Sequence, residues 1–322
     1  MRYDGGLVIG MDGGGTHTRA AAMRPDGSIA ARAKGLGLNF HTIGLEAARN
    51  NLWAVVRELR SICDEPIIRI VVGMSALERD AEPELTKQFA GDIPELELFS
   101  DAQAALMGVA FGEPAAVVIC GTGSIIMVQG ADGRRRVSLG WGTVLGDPGS
   151  AYAMAVDGLR ESIRSWECGG DATALCRAVM QYFDINEPRD LRELIERIYH
   201  PPMPADRIAG FGQEVLRLAA EGDESAQRIV HNNLDYAARA CAALLADVPE
   251  ANRVGLYGGV LMHNKEAREW FTRRLLELKP GLTVGLLAVP PEVGAVLYSL
   301  KRQGRLTESV IARACEDSRG WL

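Results

Sequence analysis

VIGMDGGGTHTRAAAM, residues 8–23, contains the most informative pattern of the chain. An apolar run ends at Asp12, three glycines follow, and a second strand-like segment begins after Thr16. Consecutive glycines let backbone N–H groups approach a ligand closely, and amides and hydroxyls suit phosphate oxygens. A carboxylate before them suits Mg²⁺, because hard cations prefer oxygen ligands. The stretch therefore predicts a phosphate-binding turn with a metal-binding acid, and an ordinary glycine hairpin is the alternative.

Two better-known glycine loops are excluded. A Walker A loop requires Gly-Lys-Ser/Thr followed by a helix, and a dinucleotide-binding loop also leads into a helix. Here the turn sequence Pro25-Asp26-Gly27-Ser28 follows instead, and then a further strand, Ile29–Ala33. The predicted order is strand, glycine turn, strand, turn, strand.

The same order recurs about 110 residues later. A buried strand (Ala116–Cys120) leads into the turn Gly121-Thr122-Gly123-Ser124, and two more strands follow, Ile125–Gln129 and Arg135–Leu139. This is an internal duplication of architecture. Two such halves facing each other would form a cleft with a phosphate loop on each wall.

Composition narrows the classes of function. The 322 residues suggest two domains, and the 47% of hydrophobic residues is enough for substantial cores. The net charge is −7, and the cluster Arg134–Arg136 adjoins a turn and is expected to be a solvated hairpin tip, so nucleic-acid binding is not expected. The six cysteines form no CxxC pair, and no signal peptide or membrane span is predicted, so we expect a cytoplasmic protein with reduced thiols.

The rest of the chain alternates helices and strands. Apolar spacing predicts a helix over residues 44–62, and a small-residue helix, Ala102–Phe111, follows Ser100-Asp101. Residues 171–247 are predicted to be almost wholly helical. Strands are expected at 253–256 and 282–289, with helices at 265–278 and from about residue 292.

Five motifs together resemble the actin-like ATPase and sugar-kinase superfamily. Within it the chain resembles the N-acetylglucosamine kinase group, which shares a family with the activator ATPases of benzoyl-CoA reductase and 2-hydroxyacyl-CoA dehydratases. The motifs are MDGGGTHTRA (11–20), SDAQAAL (100–106), CGTGSI (120–125), GWGTVLGDPGSAYA (140–153) and LYGGVL (256–261).

The resemblance implies an α/β fold of duplicated ribonuclease H-like (actin-like ATPase) domains around a central cleft. Residues 1–113 would form the N-terminal domain, and residues 114–291 the C-terminal domain, with a helical insertion at about 165–250. The last helix, about 292–302, would return to the first domain, leaving 303–322 as a peripheral tail. A homodimer is expected on the same ground.

The resemblance also implies an ATP- and Mg²⁺-dependent kinase that phosphorylates a sugar, with N-acetylglucosamine or glucosamine, at O6, as the leading acceptor. Asp12 would hold the metal and Asp101 would be the catalytic base and contact the sugar. The nucleotide would bind at Gly13, Gly14, Gly15, Thr16, Gly121, Thr122, Gly123, Ser124, Gly258 and Gly259. The sugar would bind at Asn39, Ser75, Thr122, Trp141, Gly142 and Asp147.

Several of these residues have simpler interpretations. Asp101 could be only a helix N-cap, and Asp147 followed by Pro148 could be a cap and first helical residue. Trp141 could belong to a core, and Asn39 to a turn. Pro148 stands where the family often has Glu, and Ile125 where animal members often have Asn, so the exact sugar stays open.

Two other functions stay open. One is an activator ATPase, which would need cysteines for a subunit-bridging iron–sulfur cluster, with Cys120, Cys168 and Cys176 as candidates. The other is a sugar sensor without turnover. The sequence shows no helix-turn-helix before the first strand and retains Asp12 and Asp101, which disfavours a sensor.

Overall fold

The computed structural model describes residues 5–77, 80–92, 95–169, 173–186 and 188–322. The chain divides into two compact units. Unit 1 contains Met1–Val117, Gln129–Arg134 and Leu286–Leu322, and unit 2 contains Val118–Val128 and Arg135–Gly285. Among the described residues, no helix combines the length and apolar character needed to cross a bilayer.

Unit 1 contains a five-stranded mixed sheet in the order β3-β2-β1-β4-β5. Its strands are β1 (Leu7–Gly13), β2 (His17–Met23), β3 (Ile29–Leu36), β4 (Ile67–Met74) and β5 (Glu95–Ser100). The first three strands pair antiparallel, while β1–β4 and β4–β5 pair parallel. β1 is buried along its whole length because it is the central strand, covered on both faces.

Helices cover both faces of this sheet. They are α1 (Phe40–Ile43), α2 (Leu45–Ile62), α3 (Pro83–Phe89), α4 (Asp101–Ala110) and, from the end of the chain, α13 (Pro291–Arg302) and α14 (Glu308–Asp317). One core contains Ile9 and Met11 with α2, and the opposite core contains Val8 with α13. Side chains alternate along β1, so Gly10 and Asp12 lie on the α13 side.

Unit 2 contains a second five-stranded sheet in the order β10-β9-β6-β7-β8. Its strands are β6 (Ala115–Cys120), β7 (Ser124–Gln129), β8 (Arg135–Leu139), β9 (Arg253–Tyr257) and β10 (Thr283–Leu286). The accompanying helices are α5 (Gly142–Leu145), α6 (Ala151–Glu167), α7 (Ala174–Tyr182), a 3-10 helix (Pro188–Glu193), α8 (Leu194–Tyr199), α9 (Ala205–Ala220), α10 (Glu224–Ala246), α11 (Gly259–His263) and α12 (Lys265–Leu278).

The predicted fold class, two similar α/β domains, is confirmed, since each sheet begins with the same succession of strand, glycine turn and two further strands. The expected last helix is α13, which belongs to unit 1. Residues beyond 303 also belong to unit 1 and include α14, whose Val310 and Ala314 are buried. The strand expected over 282–289 is shorter, Thr283–Leu286.

Candidate functional site

Asp12 stands at the end of β1, one residue before that strand reaches its glycine turn. Its carboxylate is nearly buried, and its Oδ2 lies 4.0 Å from Nη1 of Arg19, its register partner on β2. The predicted metal-binding residue therefore lies in a buried position beside one cationic side chain, directly before Gly13.

The space available for a side chain differs among the glycines in and beside this turn. A Cβ at Gly13 would lie 2.8 Å from Leu38 Cδ1 and 3.0 Å from the Gly73 carbonyl oxygen, so packing disfavours a side chain there. A side chain on Gly37 would meet the Gly15 carbonyl oxygen at 2.1 Å, which shows how closely the next loop packs on the turn. By contrast, a Cβ on Gly15 would meet no atom within 4 Å. The fold therefore leaves open space beside Gly15, as a ligand cradle requires.

Asp101 is the first residue of α4, and Ser100 takes the N-cap position. Its Oδ1 accepts the N–H of Ala102 at 2.7 Å. Gly73, which pairs with Asp12 across β1 and β4, brings the two acids together, because a Cβ on Gly73 would lie 3.1 Å from the Asp101 Cα. Burial, together with the negative charge of Asp12, raises the pKa of Asp101 to about 7.

Glu292, a residue that sequence reasoning missed, belongs to the same part of unit 1. It lies in the first turn of α13, is only 2% exposed, and its Oε2 has no hydrogen-bond partner. Burial and the charge of Asp12 raise the pKa of Glu292 to about 7. The signal that could have found it is a single acid within the apolar run PPEVGAVL, residues 290–297.

The second glycine turn is held by the N-terminus of α6. The N–H of Gly121 donates to the Gly123 carbonyl at 2.8 Å, and the N–H groups of Ala151 and Tyr152 donate to the carbonyls of Gly121 and Thr122. A helix N-terminus carries unpaired N–H groups, and here they fix the loop. A Cβ on Gly121 would meet only one atom, the Gly123 oxygen, at 4.0 Å.

Asp147 is built into the same loop. It is 5% exposed, adopts a left-handed φ of 62°, and its Oδ1 accepts the N–H of Gly142 at 3.2 Å. A Cβ on Gly123 would lie 2.8 Å from Asp147 Oδ2. Ser124 Oγ donates to the Pro148 carbonyl at 2.9 Å, so that hydroxyl supports the loop. The N-cap of α6 is Ser150, so the helix-cap interpretation of Asp147 is wrong.

The remaining predicted sugar residues are distributed over the two units. In unit 1, Asn39 is the N-cap of α1, its Oδ1 accepting the N–H of His41, and Ser75 has a buried Oγ without a hydrogen-bond partner. In unit 2, Trp141 is 70% exposed, so it is not a core residue, and Gly142 has a φ of 78°.

Gly258 connects β9 to α11 and packs against β6. Its φ is 87°, and a Cβ there would lie 2.3 Å from the Cys120 carbonyl oxygen. Packing alone therefore requires this glycine. Gly259, the first residue of α11, would meet only His263 Cδ2, at 3.9 Å.

The positions of the cysteines and of the metal-ligating side chains bear on the iron–sulfur alternative and on the metal site. Cys120 and Cys176 are buried, whereas Cys168 is exposed, and burial raises the pKa of the Cys120 thiol to about 12. A cluster shared between subunits needs ligands at the surface, so Cys120 and Cys176 do not suit it. Within the described ranges, no three His, Cys, Asp or Glu side chains are arranged to ligate a metal together.

A family model described as the BadF/BadG/BcrA/BcrD ATPase family matches residues 9–299. The chain is 27% identical over 317 residues to the N-acetyl-D-glucosamine kinase of Dictyostelium discoideum, covering 91% of this chain and 98% of that protein. It is 25% identical over 236 residues to an N-acetylmuramic acid/N-acetylglucosamine kinase of Clostridium acetobutylicum, covering 71% of this chain and 75% of that protein.

The fold has close relatives among solved structures. The crystal structure of a candidate N-acetylglucosamine kinase from Chromobacterium violaceum superposes with a TM-score of 0.73 at 22% identity, covering 90% of this chain and 98% of that one. At this identity the likeness shows the fold.

Proposed function

Because the chain belongs to the BadF/BadG/BcrA/BcrD ATPase family, we propose that it is an ATP-dependent kinase that phosphorylates a hydroxyl of an amino sugar. The observation that carries the proposal is the pair of acids Asp12 and Asp101, held together at Gly73. A kinase that transfers phosphate to a hydroxyl needs a metal-binding acid and a proton acceptor, and these two side chains are adjacent.

Asp101 is the proposed proton acceptor. A general base works best when its pKa lies near the working pH, and the pKa of Asp101 is raised to about 7 by burial and by Asp12. Asp101 is the first residue of α4, and a helix N-terminus attracts negative charge. This position favours the ionised carboxylate, which is the form that can accept a proton. Asp101 would take the proton from the attacking hydroxyl as the O–P bond forms.

Asp12 is the proposed anchor of a hydrated Mg²⁺. Mg²⁺ keeps several waters and is commonly held by one or two carboxylates plus substrate phosphates. Asp12 offers one nearly buried carboxylate, with Gly15 in open space two residues after the strand ends. The residues present therefore fit a hydrated ion better than a fully protein-ligated one. When bound, the ion would neutralise charge on the phosphates.

Unit 2 contains further proposed sugar-binding groups and the second phosphate turn. Asp147 accepts the N–H of Gly142 and packs against Gly123. Its carboxylate could therefore accept hydrogen bonds from sugar hydroxyls without rearranging. The exposed face of Trp141 suits the C–H face of a pyranose. The backbone N–H groups of Thr122 and Gly123 would bind phosphate oxygens, since the N–H of Gly121 already donates to the Gly123 carbonyl.

The acceptor class comes from the relatives. Two of them are named as kinases of N-acetylglucosamine, one of which also acts on N-acetylmuramic acid. We propose N-acetylglucosamine or glucosamine as the acceptor and O6 as the hydroxyl phosphorylated.

The test is a panel of sugars with ATP and Mg²⁺, scored both by ADP release and by the mass of the phosphosugar. We expect ADP and a phosphorylated amino sugar in equal amounts, with ³¹P–¹H coupling locating the phosphate at C6. Phosphorylation of hexoses but of no amino sugar would overturn the acceptor class. ADP release without any phosphosugar would instead favour an ATPase, and the iron content of anaerobically purified protein would then test the activator alternative.

A further inference from the structure

Glu292 has a buried carboxylate oxygen to which the protein provides no partner. The side chain is 2% exposed and its Oε2 makes no hydrogen bond. Leaving a buried acceptor unsatisfied is costly, so such groups call for a specific explanation. A ligand outside the protein chain is one explanation, and its nature depends on what surrounds Glu292.

The packing of α13 places Glu292 beside Asp12. Gly10 must be glycine because a Cβ there would lie 1.9 Å from the Glu292 carbonyl oxygen. Gly10 and Asp12 are two residues apart on β1, so they share one face of the sheet. The first turn of α13 therefore rests on the strand next to the proposed metal-binding residue, and the charge of Asp12 reaches the Glu292 carboxylate.

A capping role does not explain this arrangement by itself. An acid in the first turn of a helix is favoured by the helix dipole, but an exposed acid serves equally well. Asp12, Asp101 and Glu292 instead bring three carboxyl groups into one region of unit 1, where Asp12 acts on both of the others. Mutual repulsion among buried acids is relieved by a cation.

We propose that Glu292 is a positioning residue for the hydrated cation: its unpaired carboxylate oxygen accepts a hydrogen bond from a water molecule bound to the cation at Asp12. The inference rests on the proposed function, since it assumes that a divalent cation binds with the nucleotide. Among the described residues, no three His, Cys, Asp or Glu side chains are placed to ligate a metal directly. The proposal agrees with this observation, because Glu292 acts through water.

The test measures metal affinity directly. Mn²⁺ is titrated into the protein with saturating ADP and followed by water-proton relaxation. Outer groups that orient metal ligands typically contribute about 10–100-fold in affinity. For Glu292→Met, which has similar size and no acceptor, we therefore expect a Mn²⁺ Kd at least about 10-fold weaker, with unchanged ADP affinity in EDTA. Without metal, the Glu292→Met variant should have a melting temperature no lower than that of the metal-free wild type.

Two further variants keep the inference falsifiable. Glu292→Gln retains a neutral acceptor and should give an intermediate Kd, which decides the matter if the Met variant does not fold. Glu97→Gln is the matched control: Glu97 contacts Ser299, further along α13, and forms an ion pair with Arg69, so loss of its charge should lower the melting temperature and leave the Mn²⁺ Kd unchanged. Wild-type Mn²⁺ affinity in both Glu292 variants overturns the inference. Failure of the wild type to bind Mn²⁺ with ADP would overturn the proposed function itself.

Discussion

At Asp101 one carboxylate serves local structure and the proposed chemistry together. Its Oδ1 accepts the N–H of Ala102, while its neighbour across the parallel strands is Asp12. The sequence indicated an acid at the start of a helix, but not the neighbouring acid, because Asp12 lies far away along the chain and comes close only through the β1–β4 pairing at Gly73.

We expect Asp101→Asn to lower kcat by about 10²–10⁴-fold, the usual effect of removing a positioned general base. Asn keeps the size and the acceptor for the Ala102 N–H, so the melting temperature should not fall and ATP affinity should hold. Steady-state kinetics and calorimetry on the same preparation check this, with Asp132→Asn at an exposed turn as the control. Retained kcat with a lower melting temperature would make Asp101 a structural residue only.

The same residue predicts a pH dependence of stability in metal-free protein. The pKa of Asp101 is about 7 when folded and near its ordinary value of about 3.9 when unfolded. Between these values the folded state holds a proton that the unfolded state has released, so this contribution to stability is lost as pH rises. The melting temperature of Asp101→Asn minus that of wild type should therefore increase from pH 5 to pH 8 in EDTA. A difference that stays constant would contradict the raised pKa.

Two other acids, Asp147 and Glu292, have surroundings that the sequence does not reveal. Asp147 followed by Pro148 resembles a helix cap, yet the helix begins at Ala151 and Asp147 adopts a left-handed backbone that the sequence does not reveal. Glu292 resembles a helix-dipole residue, and only the approach of α13 to Gly10 shows that it is buried.

Among the elements, the strands and glycine turns were predicted well because alternating apolar residues and turn sequences are local signals. The helix over 265–278 and the strand over 135–139 have the bounds predicted. The region 171–247 was predicted only as helical, and in the described residues it is divided into α7, a 3-10 helix, α8, α9 and α10. Which helix packs on which is set by tertiary contacts, which a helical periodicity does not specify.

At the two glycine turns we expect substitutions to weaken ATP binding without changing the melting temperature. Gly15 and Gly121 have almost no atoms where a Cβ would be placed, so alanine at either position should leave the melting temperature unchanged. If the space beside them accommodates phosphates, each substitution should weaken ATP binding by about 10-fold or more, which corresponds to roughly 1.4 kcal/mol. Isothermal titration with ATP and Mg²⁺ measures this.

Gly285→Ala supplies the control for these variants, because a Cβ on Gly285 also meets nothing within 4 Å but the residue lies on β10, remote in sequence from both turns. It should bind ATP like the wild type. Full ATP affinity in both Gly15→Ala and Gly121→Ala would show that these turns do not hold the nucleotide.

For the whole molecule, the end of the chain is part of unit 1. The Gly27 turn packs on the Val310 carbonyl of α14, where a Cβ would approach to 2.4 Å. Asp317 Oδ2 accepts the N–H of Ile29 at 3.0 Å, and the Arg32 guanidinium lies 3.4 Å from the ring centroid of Trp321. The sequence predicted a peripheral tail over 303–322, and its packing is not visible in the sequence because its contacts lie on strands near the start of the chain.

Deleting residues 304–322 should therefore lower the melting temperature by several degrees, because it uncovers the apolar surface under Val310 and Ala314. Differential scanning calorimetry checks this. Deleting only Trp321 and Leu322 should have a smaller effect, since it removes the stacking on Arg32 and leaves α14 in place. An unchanged melting temperature after the longer deletion would show that the segment contributes nothing to unit 1.

The seating of α13 on Gly10 also has a consequence for protein synthesis. Ribosomes add about 5–20 residues per second, so Gly10 emerges tens of seconds before Glu292 is made. During that interval the face of β1 that carries Asp12 lacks α13, and, of the helices described, only α4, whose Ala104 and Met107 share a core with Val8, is available to cover it. The long stretch of unit 2 from Arg135 to Gly285 is continuous in sequence. The nascent chain would thus contain all of unit 2 before α13 is made, and the part of β1 at Gly10 would stay uncovered by α13 until residues 291–302 have been added.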